Sequence, residues 1–283
     1  MKSIEKKARD VEEEIIYLKE GRKPLTTESS VLISSSKYLN SARMRDVVSN
    51  EMLRKLGPDL PPAYFIPDRL KAFEEVTDYP YILEQFEHEK REKPEFAEWL
   101  NRRQVASIKK EELANYESGT LGNDIHKFML ETGFDIDFMF KGEPEDDYQY
   151  FLKRFMQNHD IMHMVTGLDV TPMGENALVM LAMTCYFDYF NPELAAELQK
   201  FNGLSIASQI NTALLHHPSI TMAVFDSLEM GRVMARNMNT PFFYICWEDH
   251  LHKSIEELRT EFNIVNAPAK GTWDWVKDEL GYV

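Results

Sequence analysis

The feature that most constrains the fold is the spacing of apolar residues after Pro67. From there onward, apolar side chains recur three and four positions apart, and Pro, Gly and Asn interrupt the pattern. Strand-like alternation is sparse, and no strand–helix–strand rhythm or repeat is visible. The sequence therefore predicts an all-α fold in the form of a single helical-bundle domain.

The breaks divide this region into successive predicted helices, and they also suggest a division of the chain into three parts. Before Pro67, residues 4–20 have helical spacing typical of a surface helix or an oligomer arm, and a short helical piece is expected between loops at 23–36 and 57–68. The predicted helices are 68–76, 81–90, 94–104, 121–132, 145–168, 172–189, 192–201, 205–216, 218–238, 241–262 and 272–280. The predicted parts are an N-terminal arm (1–64), a helical core (65–270) and a C-terminal extension (271–283).

Composition excludes several classes of protein. Of the 283 residues, 43% are hydrophobic, which is enough for a large core, and the net charge of -15 disfavours nucleic acid as a partner. The longest apolar run, Ala177–Phe187, is too short to cross a bilayer. The N-terminus lacks the pattern of a secretion or transit signal, so we expect a cytoplasmic protein. Cys185 and Cys246 are interpreted as core thiols.

Two histidines in the stretch HDIMHMVTGLDVTPMGE can share one metal ion. His159 and His163 are four residues apart, so in a helix they project from the same face, and Asp160 borders that face. Glu175 follows in the first turns of a second predicted helix. A tight turn between the two helices would fold its carboxylate back toward the histidines as a fourth ligand.

The turn itself has clear helix-end signals. Gly167 and the three residues after it end the first helix, Thr171 is a predicted N-cap, and Pro172 suits the first helical position. Two imidazoles and two carboxylates are suited to Zn²⁺ and are also acceptable to Fe²⁺, Mn²⁺ or Co²⁺. Residue type leaves open whether such a site is structural or catalytic, and a histidine pair of this spacing is also found as surface or core decoration.

Other polar residues compete for a functional role. His216 and His217 precede Pro218 at a helix end, where capping of carbonyls is the favoured role, and His250 and His252 cannot share a helix face. Tyr150 and Arg154 precede the metal motif on the same predicted helix. They are candidates for contact with a substrate or with the metal ligands, because Arg154 could hold a carboxylate.

HDIMH followed by eleven residues and Glu175 resembles the HDxxH-x11-E motif of the Coq4 family of ubiquinone biosynthesis proteins. Other stretches resemble this family in the same order, over roughly residues 65–268. They are YESGTLGNDIHKFM with its Gly-Thr-Leu-Gly helix entry, YQYFLKRF before the motif, and the closing Trp-Glu, Ser-x-x-x-Leu-Arg and Ile-x-x-Ala-Pro signature. The N-terminal arm and the final GTWDWVKDELGYV depart from the pattern.

The resemblance implies a bound divalent metal, usually zinc, held by His159, Asp160, His163 and Glu175 in a buried site on a helix-turn-helix. It implies an apolar cavity for a polyprenylated quinone precursor. The implied activity is removal of the C1 carboxylate from a polyprenylated hydroxybenzoate head group, with hydroxylation of that carbon in the oxidative version. It also implies a scaffold role for other quinone-biosynthesis proteins at a membrane surface, with peripheral membrane contact, and a homodimer is a further expectation.

The residues themselves leave other functions open. The apolar helix after Glu175, with Leu178, Val179, Leu181 and Ala182, and the Met-rich and aromatic segment 221–247 could line a lipid pocket, although such stripes are also ordinary bundle core. A noncatalytic lipid-binding scaffold with a structural metal is one alternative. A metal-dependent hydrolase, by comparison with the HExxH helix of zinc proteases, is another.

Overall fold

The structure is a computed structural model that describes residues 36–55, 57, 65–104, 108–133 and 142–281. In these ranges the named elements are all helices, and an isolated antiparallel bridge joins Thr120 and Ser254. This confirms the all-α prediction. The helix predicted at 4–20 lies outside the described residues. Within the described ranges, no helix is both long and apolar enough to span a membrane.

Most of the helices begin where the sequence supplies a side-chain cap or an early proline. The α-helices are α1 Lys37–Asn40, α2 Ala42–Leu53, α3 Ile66–Val76, α4 Tyr79–Glu92, α5 Pro94–Arg102, α6 Lys110–Leu113, α7 Leu121–Thr132, α8 Asp147–Thr166, α9 Pro172–Tyr189, α10 Pro192–His216, α11 Thr221–Asn237, α12 Ile255–Glu261 and α13 Asp274–Leu280. Short 3₁₀ helices span Pro218–Ile220, Phe242–Tyr244 and Trp247–His250. The short helical piece expected between the two early loops is present as α1 and α2.

Two predicted boundaries were wrong. Helix α10 runs without a break through the Asn202-Gly203 pair, where two helices were predicted. Asn202 keeps its side chain on its own helix by donating to Gln199 Oε1 at 2.9 Å. The single helix predicted at 241–262 is instead two 3₁₀ turns followed by α12, because Ser254 starts a new helix with a capping box to Glu257.

The core is built around a cluster of aromatic side chains between α5, α8, α9 and the first 3₁₀ turn after α11. Phe190 and Phe243 stack with ring centroids 5.0 Å apart, and Phe151 meets both of them edge-on or tilted. Trp247 of the next turn is fully buried. The α-helix before this segment ends at Asn237, and Phe243 enters the core from the 3₁₀ helix that follows Pro241.

Helices α9 and α11 approach each other so closely that only glycine fits at one contact. A Cβ atom at Gly231 would overlap the backbone carbonyl oxygen of Ala177. Helix α9 is apolar on nearly all sides, and Ala177, Leu178 and Leu181 are buried. Through this contact α11 fixes the position of the helix that carries Glu175.

The N-terminal arm is attached to the core through α2 and α10. Side chains of Ser208, Asn211 and His216 on α10 donate to the carbonyl oxygens of the last turn of α2, which have no helical partner. The His216 contact, to Leu53 O at 2.8 Å, bears out the expected capping role, although the helix that it caps is α2. The fully buried Glu51 pairs with Arg69 at 2.9 Å.

We predict that Gly231→Ala destabilises the protein by about 1–3 kcal/mol, because the added methyl group forces α9 and α11 apart. Urea denaturation measures the change in the free energy of unfolding. Gly203→Ala is the matched control, since a Cβ there meets no atom within 4 Å. It should leave stability unchanged or raise it by up to about 1 kcal/mol. Equal effects of the two substitutions would contradict the proposed contact.

Candidate metal centre

Helix α8 presents the two histidines near its C-terminal end. Asp146 is its N-cap, with a side chain that accepts from the Gln149 amide, and Gly167 is its C-cap. Gly167 has a φ of 77° and donates its N–H to His163 O at 2.9 Å, which is the left-handed ending that glycine favours. The helix end predicted at this glycine is confirmed.

A tight turn then reverses the chain into α9. Asp169 Oδ1 accepts from the Thr171 amide at 3.0 Å and from the Thr171 hydroxyl, and Thr171 in turn caps α9 by accepting from Gly174 N. Gly174 lies directly against the turn, because a Cβ there would overlap Asp169 O. Thr171 is thus the N-cap of α9, as predicted. The turn that precedes it brings Glu175 back over α8.

The three side chains converge on one point. His163 Nε2 lies 3.3 Å from His159 Nε2 and 3.2 Å from Glu175 Oε1, and His159 Nε2 lies 3.6 Å from Glu175 Oε2. All three ligand atoms lie within 4.8 Å of one another. The group is open on one side, because the Glu175 side chain is 41% exposed whereas that of His163 is 6% exposed.

His163 is held in the form that binds a metal. Its Nδ1 lies 2.6 Å from the carbonyl oxygen of Leu168, which can only accept, so Nδ1 carries a proton. In the neutral ring the lone pair is therefore on Nε2, the atom that faces His159 and Glu175. A backbone carbonyl in this role is a common means of orienting a metal-binding histidine.

The charges of the group are strongly coupled. Burial works against protonation of His163, but the hydrogen bond and charge of Glu175 outweigh it, and the Leu168 carbonyl and Asp160 add to the effect, so the pKa of His163 is raised. Burial also opposes ionisation of Glu175, but hydrogen bonds and charge from His159 and His163 hold the pKa of that carboxyl far below its usual range. These interactions with the two histidines favour the ionised form of Glu175.

The donors fit a divalent metal. Two nitrogens that each lie about 2.0–2.1 Å from a tetrahedral zinc are about 3.3 Å apart, which matches the separation of the two Nε2 atoms. Two histidines and one carboxylate occur in catalytic zinc sites and also in Fe²⁺ oxygenases. A bound cation would replace the hydrogen bonds that join Glu175 to the two histidines.

Asp160 and the pair Tyr150 and Arg154 lie outside this group. Asp160 is half-buried and close enough for its charge to act on His163, but its role as a ligand stays a prediction. Arg154 lies nine positions before His163, which is two and a half helical turns, so it faces the opposite side of α8. There the buried guanidinium binds both carboxylate oxygens of Glu248.

Glu248 was not singled out by the sequence as a partner of Arg154. It belongs to the Trp-Glu pair of the closing signature, which lies far along the chain, and Tyr150 donates instead toward Gln104 O at 3.5 Å. A functional role for Tyr150 and Arg154 stays a prediction. A signal was present in the sequence, because a buried arginine requires a carboxylate and the two motifs occur together in the resemblance.

The remaining candidate residues have ordinary structural settings. Leu178, Leu181 and Ala182 are buried in the core and Val179 packs against it, so an apolar ligand cavity stays a prediction. His250 packs against Phe262 with ring centroids 5.2 Å apart. Both cysteines are unpaired, and Cys185 is buried in the core as expected, whereas Cys246 is half-buried.

Comparison with known proteins identifies the family to which this fold and site belong. The family described as coenzyme Q (ubiquinone) biosynthesis protein Coq4 matches residues 67–268. The mitochondrial ubiquinone biosynthesis protein COQ4 of Yarrowia lipolytica is 24% identical, over 71% of this chain and 73% of that protein. The protein of the same name from Mycosarcoma maydis is 24% identical over 55% of this chain, and the match spans about half of its length (47%).

A solved structure supports the same fold. The crystal structure of a proposed ubiquinone biosynthesis protein from Nostoc punctiforme superimposes with a TM-score of 0.54 and 18% identity, over 71% of this chain and 89% of that one. The all-helical fold, the short turn that joins the two helices of the candidate site and the family match together define the class of protein. The chain belongs to the Coq4 family of coenzyme Q (ubiquinone) biosynthesis proteins.

We predict that the affinity for Zn²⁺ falls as the pH is lowered through the raised pKa of His163, because a proton and the metal compete for Nε2. Below that pKa the loss should be about tenfold per pH unit for each displaced proton. Competition with a chromophoric chelator between about pH 8 and about pH 5 measures it.

NMR of the metal-free protein provides the control. Since Glu175 is the main group that raises the pKa of His163, Glu175→Gln should lower that pKa. An unchanged His163 titration in this variant would contradict the coupling.

Proposed function

We propose that this protein is a metal-dependent enzyme of ubiquinone biosynthesis that decarboxylates a polyprenylated hydroxybenzoate at C1, oxidatively and with hydroxylation of that carbon. The observation that carries the proposal is the convergence of His159, His163 and Glu175 on one point with one side open. Family membership supports the pathway. The open side supports catalysis, because structural sites are closed by four protein ligands whereas catalytic sites keep a position open.

The metal would be held by His159, His163 and Glu175, which leaves the fourth position of a tetrahedral ion open; Asp160 is a further proposed ligand, and with it bound the open position would be the fifth. Zn²⁺ is the first candidate, and Fe²⁺, Mn²⁺ or Co²⁺ suit the same donors. When bound, such an ion supplies Lewis-acid stabilisation of negative charge on a carboxylate or ring oxygen. The Leu168 carbonyl keeps the His163 ring oriented throughout.

One residue of the chain beside the candidate site could handle a proton. If Asp160 does not bind the metal, its half-buried carboxylate would accept a proton beside the site. In the proposed reaction the bond from C1 to the carboxylate carbon breaks and CO₂ leaves. One oxygen atom of dioxygen forms the new C1 hydroxyl, and an external two-electron donor reduces the other oxygen to water.

Two alternatives use the same ligands in other ways. A noncatalytic scaffold that binds polyprenyl lipids would use the metal for folding, and a metal-dependent hydrolase would use it to activate water. Contacts with other quinone-biosynthesis proteins, with a membrane surface and with a second copy of the chain belong to the proposal in either case. The cytoplasmic location stays a prediction, and the names of the two fungal relatives place those proteins in mitochondria.

The test is release of CO₂ from a carboxyl-labelled polyprenylated hydroxybenzoate by the metal-loaded protein, with dioxygen and a chemical reductant. We predict that His163→Ala loses stoichiometric metal and lowers the rate by more than about 100-fold, the upper range for loss of a group that only supports a ligand. His252→Ala, an exposed histidine outside the group, should retain both.

Each competing function predicts a different result. A wild-type protein that binds metal and lipid but releases no CO₂, and that unfolds when the metal is removed, would favour the scaffold. Cleavage of peptide or phosphoester substrates would favour the hydrolase. Metal-free wild-type protein would contradict all three.

A further inference from the structure

Two sequence motifs that the candidate metal ligands do not use meet at the C-terminal end of α8. A Cβ at Gly167 would lie 2.9 Å from Arg259 Nη2 and 3.6 Å from both Ala267 Cβ and Pro268 O. Arg259 belongs to the Ser-x-x-x-Leu-Arg motif, and Ala267 and Pro268 form the Ala-Pro motif. The closing signature of the chain thus encloses the glycine that follows the metal helix.

Arg259 is attached directly to the end of that helix. Its Nε donates to the carbonyl oxygen of Val165 at 2.7 Å. Val165 lies in the last turn of α8, where carbonyl groups lack helical N–H partners. The guanidinium therefore supplies a hydrogen-bond donor that the helix itself does not provide. A positive charge at this position also complements the negative end of the helix dipole.

Several contacts hold α12, the helix that carries Arg259, in place. Arg259 Nη1 donates to Glu256 Oε1 at 3.0 Å, one turn earlier on α12. The start of α12 has a complete capping box, and Leu258 beside the arginine is fully buried. Just before α12, the Lys253 carbonyl accepts from Leu121 N at 2.7 Å, which ties this segment to α7. These contacts therefore fix the position of the helix that carries Arg259.

The end of α8 connects Arg259 to the metal centre. Leu168, which follows Gly167, supplies the carbonyl that accepts from His163 Nδ1 at 2.6 Å, and its own amide donates to Thr166 Oγ1 at 3.2 Å. The position of this carbonyl depends on the backbone path from Val165 through Gly167. Arg259 contacts that path at Val165 and Gly167, and the Ala-Pro motif packs beside Gly167.

We propose that Arg259 is a positioning residue of the metal centre. By binding Val165 O and confining Gly167, it keeps the Leu168 carbonyl where it orients the His163 ring and leaves Nε2 available to the metal. Arg259 contacts the helix end rather than the three ligands, so its effect is transmitted through the turn. This inference rests on the proposed metal site, but not on the identity of the substrate.

The first test is the Zn²⁺ affinity of Arg259→Gln, measured by chelator competition. The expected loss is about 10–100-fold, the range found when groups that orient a metal-binding histidine are removed. Arg259→Lys keeps a charged donor and should recover part of the affinity. Arg236→Gln is the control, because Arg236 is an exposed arginine whose partner, Asp188, is 3.9 Å away. The absorption spectrum of bound Co²⁺ reports whether the ligand geometry has changed.

A pair of glycine substitutions tests the same turn without removing the arginine. Gly167→Ala and Gly133→Ala place a methyl group at helix ends with nearly equal backbone angles, φ 77° and 74°. Only the first methyl group meets Arg259, whereas at Gly133 nothing lies within 4 Å. Gly167→Ala should lose about tenfold or more in Zn²⁺ affinity. Gly133→Ala should retain wild-type affinity.

The outcomes separate this inference from the proposed function. If Arg259→Gln and Gly167→Ala bind Zn²⁺ as tightly as the wild type, the positioning role is refuted while the metal site stands. If Arg259→Gln does not fold, the Gly167 and Gly133 pair decides. A wild type that binds no metal refutes both the site and the inference, whereas metal binding with the expected losses but no CO₂ release refutes only the proposed activity.

Discussion

The arrangement of the candidate site depends on the close contact between Gly174 and the carbonyl of Asp169. This contact lets α9 start immediately over the turn that ends α8, and so it places Glu175 against two histidines of the preceding helix. A larger side chain at Gly174 would push the helices apart and separate the ligands. The candidate metal site is therefore a consequence of backbone packing, because one short turn brings its three side chains together.

The local parts of this arrangement could be predicted from sequence because their causes are local. The shared face of His159 and His163 follows from helical periodicity, and the boundaries at Gly167 and Thr171 follow from the conformational preferences of those residue types. Glu175 was expected to fold back for the same reason. The long-range contacts were not predicted: Arg154 with Glu248, and Arg259 with Val165, join segments whose separation along the chain leaves no periodic signal.

The errors in helix boundaries have a related cause. Asn202 and Gly203 favour a break by intrinsic propensity, yet α10 continues through them, because packing of a long helix against its neighbours outweighs a local cost of about 1 kcal/mol. The segment after Pro241 shows the opposite case. Its apolar spacing suits a helix, but burial of Phe243 and Trp247 in the core requires short 3₁₀ turns. In both places tertiary contacts decide between conformations that the sequence leaves close in energy.

The unequal exposure of the ligands bears on how the site could work. His163 is nearly buried and fixed by a backbone carbonyl, whereas Glu175 and His159 are partly open to solvent. A metal held only for stability gains from complete enclosure, because a closed shell removes exchange with water. An open carboxylate edge instead leaves room for a substrate oxygen beside the ion. Of the three candidate ligands, the buried His163 is the one that a backbone carbonyl orients, and the closing signature of the chain contacts the backbone next to this carbonyl at the end of α8.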